Sequence, residues 1–180
     1  MIRLATEHDL PAILDIYRPY IEQTAITFEY DVPSLDDFRA RFLQITALCP
    51  WLVWEEDGEI LGYAYGVPAF ERKAYAWCAD LSVYLKKSAC GRGIGRALYA
   101  KLEQLLEVQG YRVLYALVTT ANVSSVEFHK AVGYREVASF PHCGWKRGQW
   151  HGVIWLEKDV GPDTPPTDFP VPFPALGLDI

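Results

Sequence analysis

The sequence has few cysteines, and none of them forms a recognisable pair. Its 180 residues include Cys49, Cys78, Cys90 and Cys143, which are scattered and make no Cys-x-x-Cys motif. This spacing is typical neither of a disulfide framework nor of a zinc site. We therefore expect neither a disulfide scaffold nor a bound metal.

Long apolar runs are also absent. The sequence has no stretch of about 18 consecutive apolar residues, which is the length that a membrane-spanning helix needs. The first residues, MIRLATEHDLPAIL, lack the apolar core of a secretory signal peptide. These features predict a soluble, cytoplasmic protein without a membrane partner.

The chain has no overall excess of positive charge. It carries 17 Lys and Arg residues against 23 Asp and Glu, with a formal net charge of −6. Nucleic-acid binding requires a broad basic face, so we expect no nucleic-acid partner. One local segment is basic: residues 85–98, LKKSACGRGIGRAL, hold four cations, three glycines and no acid. A cluster of this size suits a small anion.

Apolar periodicity predicts one mixed α/β domain over residues 1–160. The chain is long enough for a single core, and 51% of its residues are hydrophobic. Residues 161–180 contain six of the twelve prolines and predict an extended tail that wraps the surface or a neighbour. The predicted strands are 2–5, 51–56, 59–67, 75–85, 113–118, a strand after Gly133-Tyr134, and 151–157; the predicted helices are 7–23, one opening at Ser34, 93–108 and 122–131.

The basic segment lies where a predicted strand ends and a helix begins. A helix N-terminus exposes unpaired N–H groups, and glycines let the backbone approach an anion closely. A glycine-rich turn with solvated charges is the alternative. The Walker motif is absent, and the dinucleotide fingerprint fails because its last glycine would fall on Arg96 or Leu98.

Three segments in order resemble the GNAT N-acetyltransferases. Residues 90–95, CGRGIG, match both glycines of the pyrophosphate motif Q/R-x-x-G-x-G/A but not its leading residue. Residues 83–85 resemble the strand before that motif, and Asn122-x-x-Ser125 with residues 128–134 resembles the later cofactor segment. The resemblance implies a mixed, mostly antiparallel sheet with a splayed central strand and flanking helices, and acetyl-CoA as co-substrate.

Further segments resemble the phosphinothricin acetyltransferase branch of that superfamily. They are residues 24–38, 50–66, 74–85 and 144–155, together with the proline-rich tail. The resemblance implies direct acetyl transfer to the amine of a small amino acid or analogue, and a homodimer formed through the C-terminal strands. Two alternatives stay open: acetylation of a peptide amine or polyamine, and a non-catalytic module that binds coenzyme A.

The resemblance also implies which residues bind the cofactor. The pantetheine arm would pair with the strand at Val83, Tyr84 and Leu85. Asn122 and Ser125 would contact the same arm, although both residues could instead serve only the start of a helix. The pyrophosphate would bind to the turn formed by Gly91, Arg92, Gly93, Ile94, Gly95 and Arg96.

Two residues are candidates for proton transfer. Asp80 stands where the branch places an acid just before the cofactor strand, and it could accept the proton of the amine. The alternative for Asp80 is a salt bridge at a strand end. His129 stands where the branch has a histidine that could act as acid or base, and its alternative is a packing role in a helix.

Three residues are candidates for substrate binding. Arg72 matches an arginine that the branch uses near the acidic group of its substrate, and a guanidinium binds carboxylate or phosphinate in a bidentate way. Phe28 and Tyr75 could wall the pocket. The chain departs from the branch at Phe70, where a second cation is expected, and at Gly152, where an aspartate is usual.

Overall fold

The computed structural model describes residues 1–178 and 180, and its centre is one seven-stranded sheet. The strands follow the order β1-β2-β3-β4-β5-β7-β6 across the sheet. They are Ile2–Leu4 (β1), Trp51–Glu56 (β2), Glu59–Pro68 (β3), Cys78–Leu85 (β4), Val113–Thr119 (β5), Arg135–Lys146 (β6) and Gln149–Asp159 (β7). The helices are Leu10–Gln23 (α1), Leu35–Thr46 (α2), Ile94–Gln109 (α3) and Val123–Ala131 (α4).

Strands β4 and β5 form the parallel pair, and they separate soon after they meet. Their register covers only three pairs, from Cys78 with Val113 to Asp80 with Tyr115. Beyond Asp80, β4 continues to Leu85 paired with β3 alone, while β5 continues to Thr119 paired with β7. The other strand pairs are antiparallel. This arrangement confirms the mixed, mostly antiparallel sheet with a splayed central strand.

Two apolar clusters cover the two faces of the sheet. The cluster on one face contains the buried side of α3 and Val126 of α4, and residues such as Ala79 and Leu81 of β4 belong to it. The cluster on the other face contains α1, α2 and the aromatic side chains Trp51 and Tyr63. Because side chains alternate along a strand, β4 contributes to both cores.

Local chemistry sets the helix ends that the sequence predicted. Ser34 caps α2, since its Oγ accepts a hydrogen bond from the Asp37 backbone N–H at 3.1 Å. Gly93 precedes α3 and Gly110 ends it, with φ of 81° and 105°. The predicted strand 75–85 begins only at Cys78, because residues 73–75 form a 3₁₀ turn. The last strand is also longer than the predicted 151–157.

The proline-rich tail packs on its own chain. Gln109, at the end of α3, exchanges hydrogen bonds of 2.8 Å with the backbone of Val171, and the Phe173 N–H donates to Leu48 O at 2.9 Å. Phe173 is 6% exposed and belongs to the α3-side core, and a 3₁₀ turn follows at residues 173–176. Within the described ranges, none of the helices has the length and apolarity that crossing a bilayer requires.

Candidate active site

A cleft opens where β4 and β5 separate. Its walls include Ile26 of the 24–34 loop that follows α1 and Ser125 and His129 of α4. Its volume is about 400 Å³ with open solvent included. The lining residues are Ile26, Leu81, Ser82, Val83, Tyr84, Tyr99, Ala116, Leu117, Val118, Thr119, Asn122, Ser125 and His129. The cleft thus gathers five of the cofactor and catalytic residues that the sequence predicted.

The glycine turn stands at the N-terminus of α3 and leaves open space. Gly91 and Gly93 have φ of 76° and 81°, and a Cβ built on either would meet no atom of the described residues within 4 Å. Among residues 1–178 and 180 no side chain caps the start of α3, so the first amides of Ile94, Gly95 and Arg96 keep their hydrogen-bonding capacity for a ligand. This cradle fits the pyrophosphate of acetyl-CoA, since backbone N–H groups and the helix dipole both favour an anion.

The cationic side chains in and beside the turn differ in whether they form salt bridges with carboxylates. Arg92 Nη2 contacts both carboxylate oxygens of Glu56, at 2.8 and 2.9 Å. Lys86 pairs with Glu59 at 2.5 Å. Arg96 is exposed and has no carboxylate partner in the described part of the chain. A phosphate bound in the turn would therefore compete with Glu56 for Arg92.

The predicted pantetheine strand offers its backbone to the cleft. Strand β4 pairs with β3 on one edge at residues 83–85, and within the described residues no strand pairs with its other edge beyond Asp80. The Tyr84 ring itself is core, with its centroid 5.5 Å from that of Tyr63. The Leu85 carbonyl accepts a hydrogen bond from the Tyr20 hydroxyl at 2.6 Å. The free edge of β4 matches the strand that a ligand could extend.

Asn122 and Ser125 begin α4 beside the cleft. The Asn122 Oδ1 accepts the Ser125 N–H at 3.3 Å, so Asn122 is the N-cap of α4. The Ser125 Oγ lies 3.3 Å from His129 Nδ1, one turn further along the helix. The helix-capping alternative for Asn122 is therefore observed, and its side-chain NH₂ remains available to a ligand in the cleft.

His129 is buried and held at both ring nitrogens. Nδ1 lies 2.7 Å from Ser125 O, and Nε2 lies 2.8 Å from the Tyr99 hydroxyl oxygen. A carbonyl oxygen can only accept, so we assign the proton to Nδ1, and Nε2 accepts from Tyr99. Burial lowers the pKa of His129, which favours the neutral ring. His129 thus reaches the cleft together with Tyr99.

The Asp80 carboxyl has a strongly shifted pKa. Its Oδ1 is buried and has no hydrogen-bond partner among residues 1–178 and 180. Burial raises the pKa of Asp80 to about 7, opposed only weakly by the backbone N–H of Leu81. The strand-end salt bridge considered for Asp80 is therefore not observed in the described part of the chain. Asp80 forms the last pair before β4 and β5 separate and precedes the cleft residue Leu81 in the chain, but it is not itself among the lining residues.

Two of the three predicted substrate residues are neighbours, since the Tyr75 N–H donates to Arg72 O at 2.9 Å, whereas Phe28 packs on a different element. Phe28 packs directly on Gly144 of β6, and its ring centroid is 6.4 Å from that of His151. Tyr75 packs on Phe70 with 4.8 Å between ring centroids. Arg72 is exposed and precedes the 3₁₀ turn of residues 73–75. The structure therefore places Phe28 and Tyr75 in different aromatic contacts rather than against each other.

Phe70 and Gly152, the two positions at which the chain departs from the branch, both lie in packed surroundings. Phe70 joins an aromatic group, with its ring centroid 6.1 Å from that of Trp155 and 6.0 Å from that of Tyr115. At Gly152 a Cβ would come within 2.9 Å of Phe140 O and of Thr120 Cγ2. An aspartate at position 152 would therefore require the neighbouring strand to shift.

Sequence reasoning missed two residues that build the site. Tyr99 occupied a core position of a predicted helix, and its hydroxyl, which must find a partner when buried, was the available signal. Lys146 is only 4% exposed, and its Nζ donates to Ile21 O and Thr27 O, each at 2.8 Å. It ties the end of β6 to the 24–34 loop, and no local sequence pattern indicates so distant a contact.

Comparison with known proteins identifies the family. The acetyltransferase (GNAT) domain matches residues 2–155. A phosphinothricin N-acetyltransferase of Streptomyces viridochromogenes is 32% identical over 92% of this chain and 90% of that protein. An L-methionine sulfoximine/L-methionine sulfone acetyltransferase of Salmonella typhimurium is 27% identical over 88% of this chain and 94% of that protein.

A solved structure is similar to this chain as well. It is a GNAT superfamily phosphinothricin acetyltransferase of Sinorhizobium meliloti in complex with acetyl-CoA, with a TM-score of 0.90 and 32% identity over 96% of each chain. The family match covers most of the chain, and the fold, the open strand edge and the glycine cradle agree with it. This chain belongs to the GNAT acetyltransferase family.

Proposed function

We propose that this protein transfers the acetyl group of acetyl-CoA to the amine of a small amino acid or amino-acid analogue. Relatives that act on phosphinothricin and on methionine sulfoximine support a substrate with an acidic or sulfoximine-like side chain. The observation that carries the proposal is the Asp80 carboxyl, whose Oδ1 is buried without a hydrogen-bond partner in the described residues, at the point where β4 and β5 separate.

Asp80 can remove a proton from the amine, which is the main chemical requirement of the reaction. An amine with a pKa of about 10 is roughly 0.1% neutral at pH 7, and only the neutral amine attacks a thioester. A carboxylate with a pKa near 7 accepts a proton at neutral pH and later releases it to solvent. In the proposed step the amine nitrogen forms the new C–N bond, the C–S bond breaks, and Asp80 takes the amine proton directly or through a water.

The remaining residues hold the two substrates and the second proton. When bound, acetyl-CoA supplies the acetyl thioester. The amides of residues 91–96 bind its pyrophosphate, and the free edge of β4 at residues 83–85 pairs with its pantetheine arm, with Asn122 and Ser125 beside it. The His129–Tyr99 pair lines the cleft, and we assign to it the return of a proton to the departing sulfur. Arg72 binds the acidic group of the substrate, with Phe28 and Tyr75 at the pocket walls.

The test is a thiol-release assay with purified protein and acetyl-CoA. The amine panel contains amino acids, their phosphinate and sulfoximine analogues, a polyamine and a short peptide. We expect release with small amino-acid analogues and a loss of about 10²- to 10⁴-fold in Asp80→Asn. Asp163→Asn, in the exposed tail, serves as the matched control and keeps wild-type rates. Normal binding of acetyl-CoA without turnover on any amine would instead identify a binding module.

We also propose that two copies of the chain associate and act in the cytoplasm. The edge strand β6 and its partner β7 carry exposed aromatic side chains, with Phe140, Trp145 and Trp150 each about half exposed. Such a surface suits an isologous contact. A monomer mass in sedimentation at micromolar concentration would refute the dimer. The four cysteines are unpaired, as is usual in a reducing compartment, and cell fractionation tests the location.

A further inference from the structure

Thr119 lines the cleft and has a hydroxyl without a hydrogen-bond partner in the described residues. It is the last residue of β5 and is 5% exposed. Its Oγ1 is buried and has no hydrogen-bond partner in residues 1–178 and 180. A buried hydroxyl without a partner costs free energy, and native proteins generally pair such groups. We therefore expect the hydroxyl to bond to a group that the described part of the chain does not supply.

The adjacent threonine shows the contrast. Thr120 is exposed, and its Oγ1 accepts a hydrogen bond from the Gly152 N–H at 3.2 Å. That contact connects β5 to β7 and gives Thr120 an evident structural role. Thr119 has no comparable side-chain contact in the described part of the chain, although a valine of the same shape would fill the same space in a strand. Stability of the fold therefore does not explain a hydroxyl at position 119.

The surroundings of Thr119 indicate what the partner is. The residue lines the same cleft as the open edge of β4 at Val83 and Tyr84 and as the N-cap Asn122 of α4. These are the groups that hold the pantetheine arm in the proposed function. A hydroxyl both donates and accepts, so it can bond either the N–H or the C=O of an amide.

We propose that the Thr119 hydroxyl binds an amide of the pantetheine arm of acetyl-CoA, as a cofactor-binding residue that neither family motif contains. The proposal rests on the proposed function, because it needs that arm in the cleft. It has a distinctive consequence: the hydroxyl costs stability in the free protein and contributes affinity in the complex. A purely structural residue would not combine these two effects.

The experiment compares Thr119→Val, Thr119→Ser and Thr120→Val in the full-length chain. Isothermal titration with coenzyme A gives the Kd, and thermal unfolding with and without coenzyme A gives the Tm. We expect Thr119→Val to keep or raise the Tm of the free protein while weakening coenzyme A binding about tenfold. Thr119→Ser retains the hydroxyl and keeps the Kd within about twofold of wild type. Thr120→Val loses about 3 °C of Tm with an unchanged Kd.

Different outcomes separate this proposal from the proposed function. If wild type binds no coenzyme A, the proposed function fails and the Thr119 assignment fails with it. If wild type binds but Thr119→Val binds equally well, only the Thr119 assignment is overturned. An unchanged Kd with a raised KM for the amine also overturns it, because the hydroxyl would then serve the other substrate. If Thr119→Val is too unstable to titrate, the hydroxyl is structural and the proposal is wrong.

Discussion

The Tyr99 hydroxyl connects the two segments that flank the cleft. Its oxygen lies 2.8 Å from His129 Nε2 on α4 and 3.3 Å from Leu81 O on β4. Tyr99 is 1% exposed, and burial, followed by the charge of Asp80, raises its pKa well above the usual value. The phenol therefore stays protonated, and its O–H group is the hydrogen-bond donor to Nε2 of the neutral His129 ring.

Tyr99→Phe tests whether this connection matters for transfer. Removing the hydroxyl leaves His129 Nε2 buried without a donor, which costs about 1–3 kcal/mol of unfolding free energy. We expect kcat to fall while the KM for acetyl-CoA changes little, because the hydroxyl positions a group for proton transfer. The measurements are steady-state kinetics and denaturant unfolding.

Tyr111→Phe is the matched control for Tyr99. Tyr111 is also buried, and its hydroxyl lies 3.3 Å from Cys49 Sγ; neither residue lines the cleft. The control should lose stability without losing kcat. Equal kcat values for both variants and wild type would remove Tyr99 and His129 from the proton-transfer scheme.

Because the pKa of Asp80 is raised, we expect activity to increase and stability to decrease as the pH rises. The carboxyl has a pKa of about 7 when folded and about 3.9 in an unfolded chain. The unfolded chain therefore releases this proton at lower pH, so the Asp80 contribution to stability falls as pH rises from about 4 to about 7. Above that range the burial of the carboxylate costs at most about 4 kcal/mol.

Asp80→Asn should consequently lose activity by about 10²- to 10⁴-fold yet be more stable than wild type at pH 8. The difference in unfolding free energy should shrink towards zero near pH 4, where both side chains are neutral. For wild type, kcat/KM should rise with pH through about 7 and then level off, because the base must be ionised. Urea titrations across the pH range and a kcat/KM profile provide the data. A variant less stable than wild type at pH 8 would show that the carboxylate has a stabilising partner.

The glycine cradle gives a third prediction. Gly93 has φ of 81° and directly precedes α3, so alanine there adds backbone strain of about 1 kcal/mol and places a methyl group where the pyrophosphate would lie. We expect Gly93→Ala to raise the KM for acetyl-CoA at least tenfold while the KM for the amine stays constant. Steady-state kinetics with each substrate varied in turn measures both.

Gly148→Ala separates strain from lost contact. Gly148 has φ of 76° and open space around its Cα, but it lies in the turn between β6 and β7. Its alanine variant should show the same loss of Tm and an unchanged KM for acetyl-CoA. If the two variants have the same kinetics, the turn before α3 does not bind the cofactor.

The sequence predicted the elements whose ends depend on nearby residues. Glycines bound α3 at both ends, and Asp57-Gly58 forms the tight turn between β2 and β3 with φ of 52° and 79°. Properties that depend on distant contacts could not be predicted. The pKa of Asp80 follows from what packs around it, and the 24–34 loop is held by Lys146, which lies 119 residues after Thr27 in the chain. The splayed strand was predicted from family resemblance, since strand separation leaves no periodic pattern.

The pairing of Arg92 with Glu56 makes the last prediction. Both oxygens of Glu56 contact Arg92, and this contact is the main cause of the lowered pKa of Glu56. A pyrophosphate in the cradle must draw Arg92 away from Glu56 or share it, so the acid weakens binding. Glu56→Gln should strengthen coenzyme A binding about two- to fivefold at low ionic strength, and the gain should shrink with added salt because both side chains are exposed. Glu7→Gln, which breaks the similar exposed pair with Arg39, is the control and should leave the Kd unchanged. Titration calorimetry at low and high salt measures both variants, and weaker binding by Glu56→Gln would mean that Glu56 orients Arg92 towards the phosphate instead of competing with it.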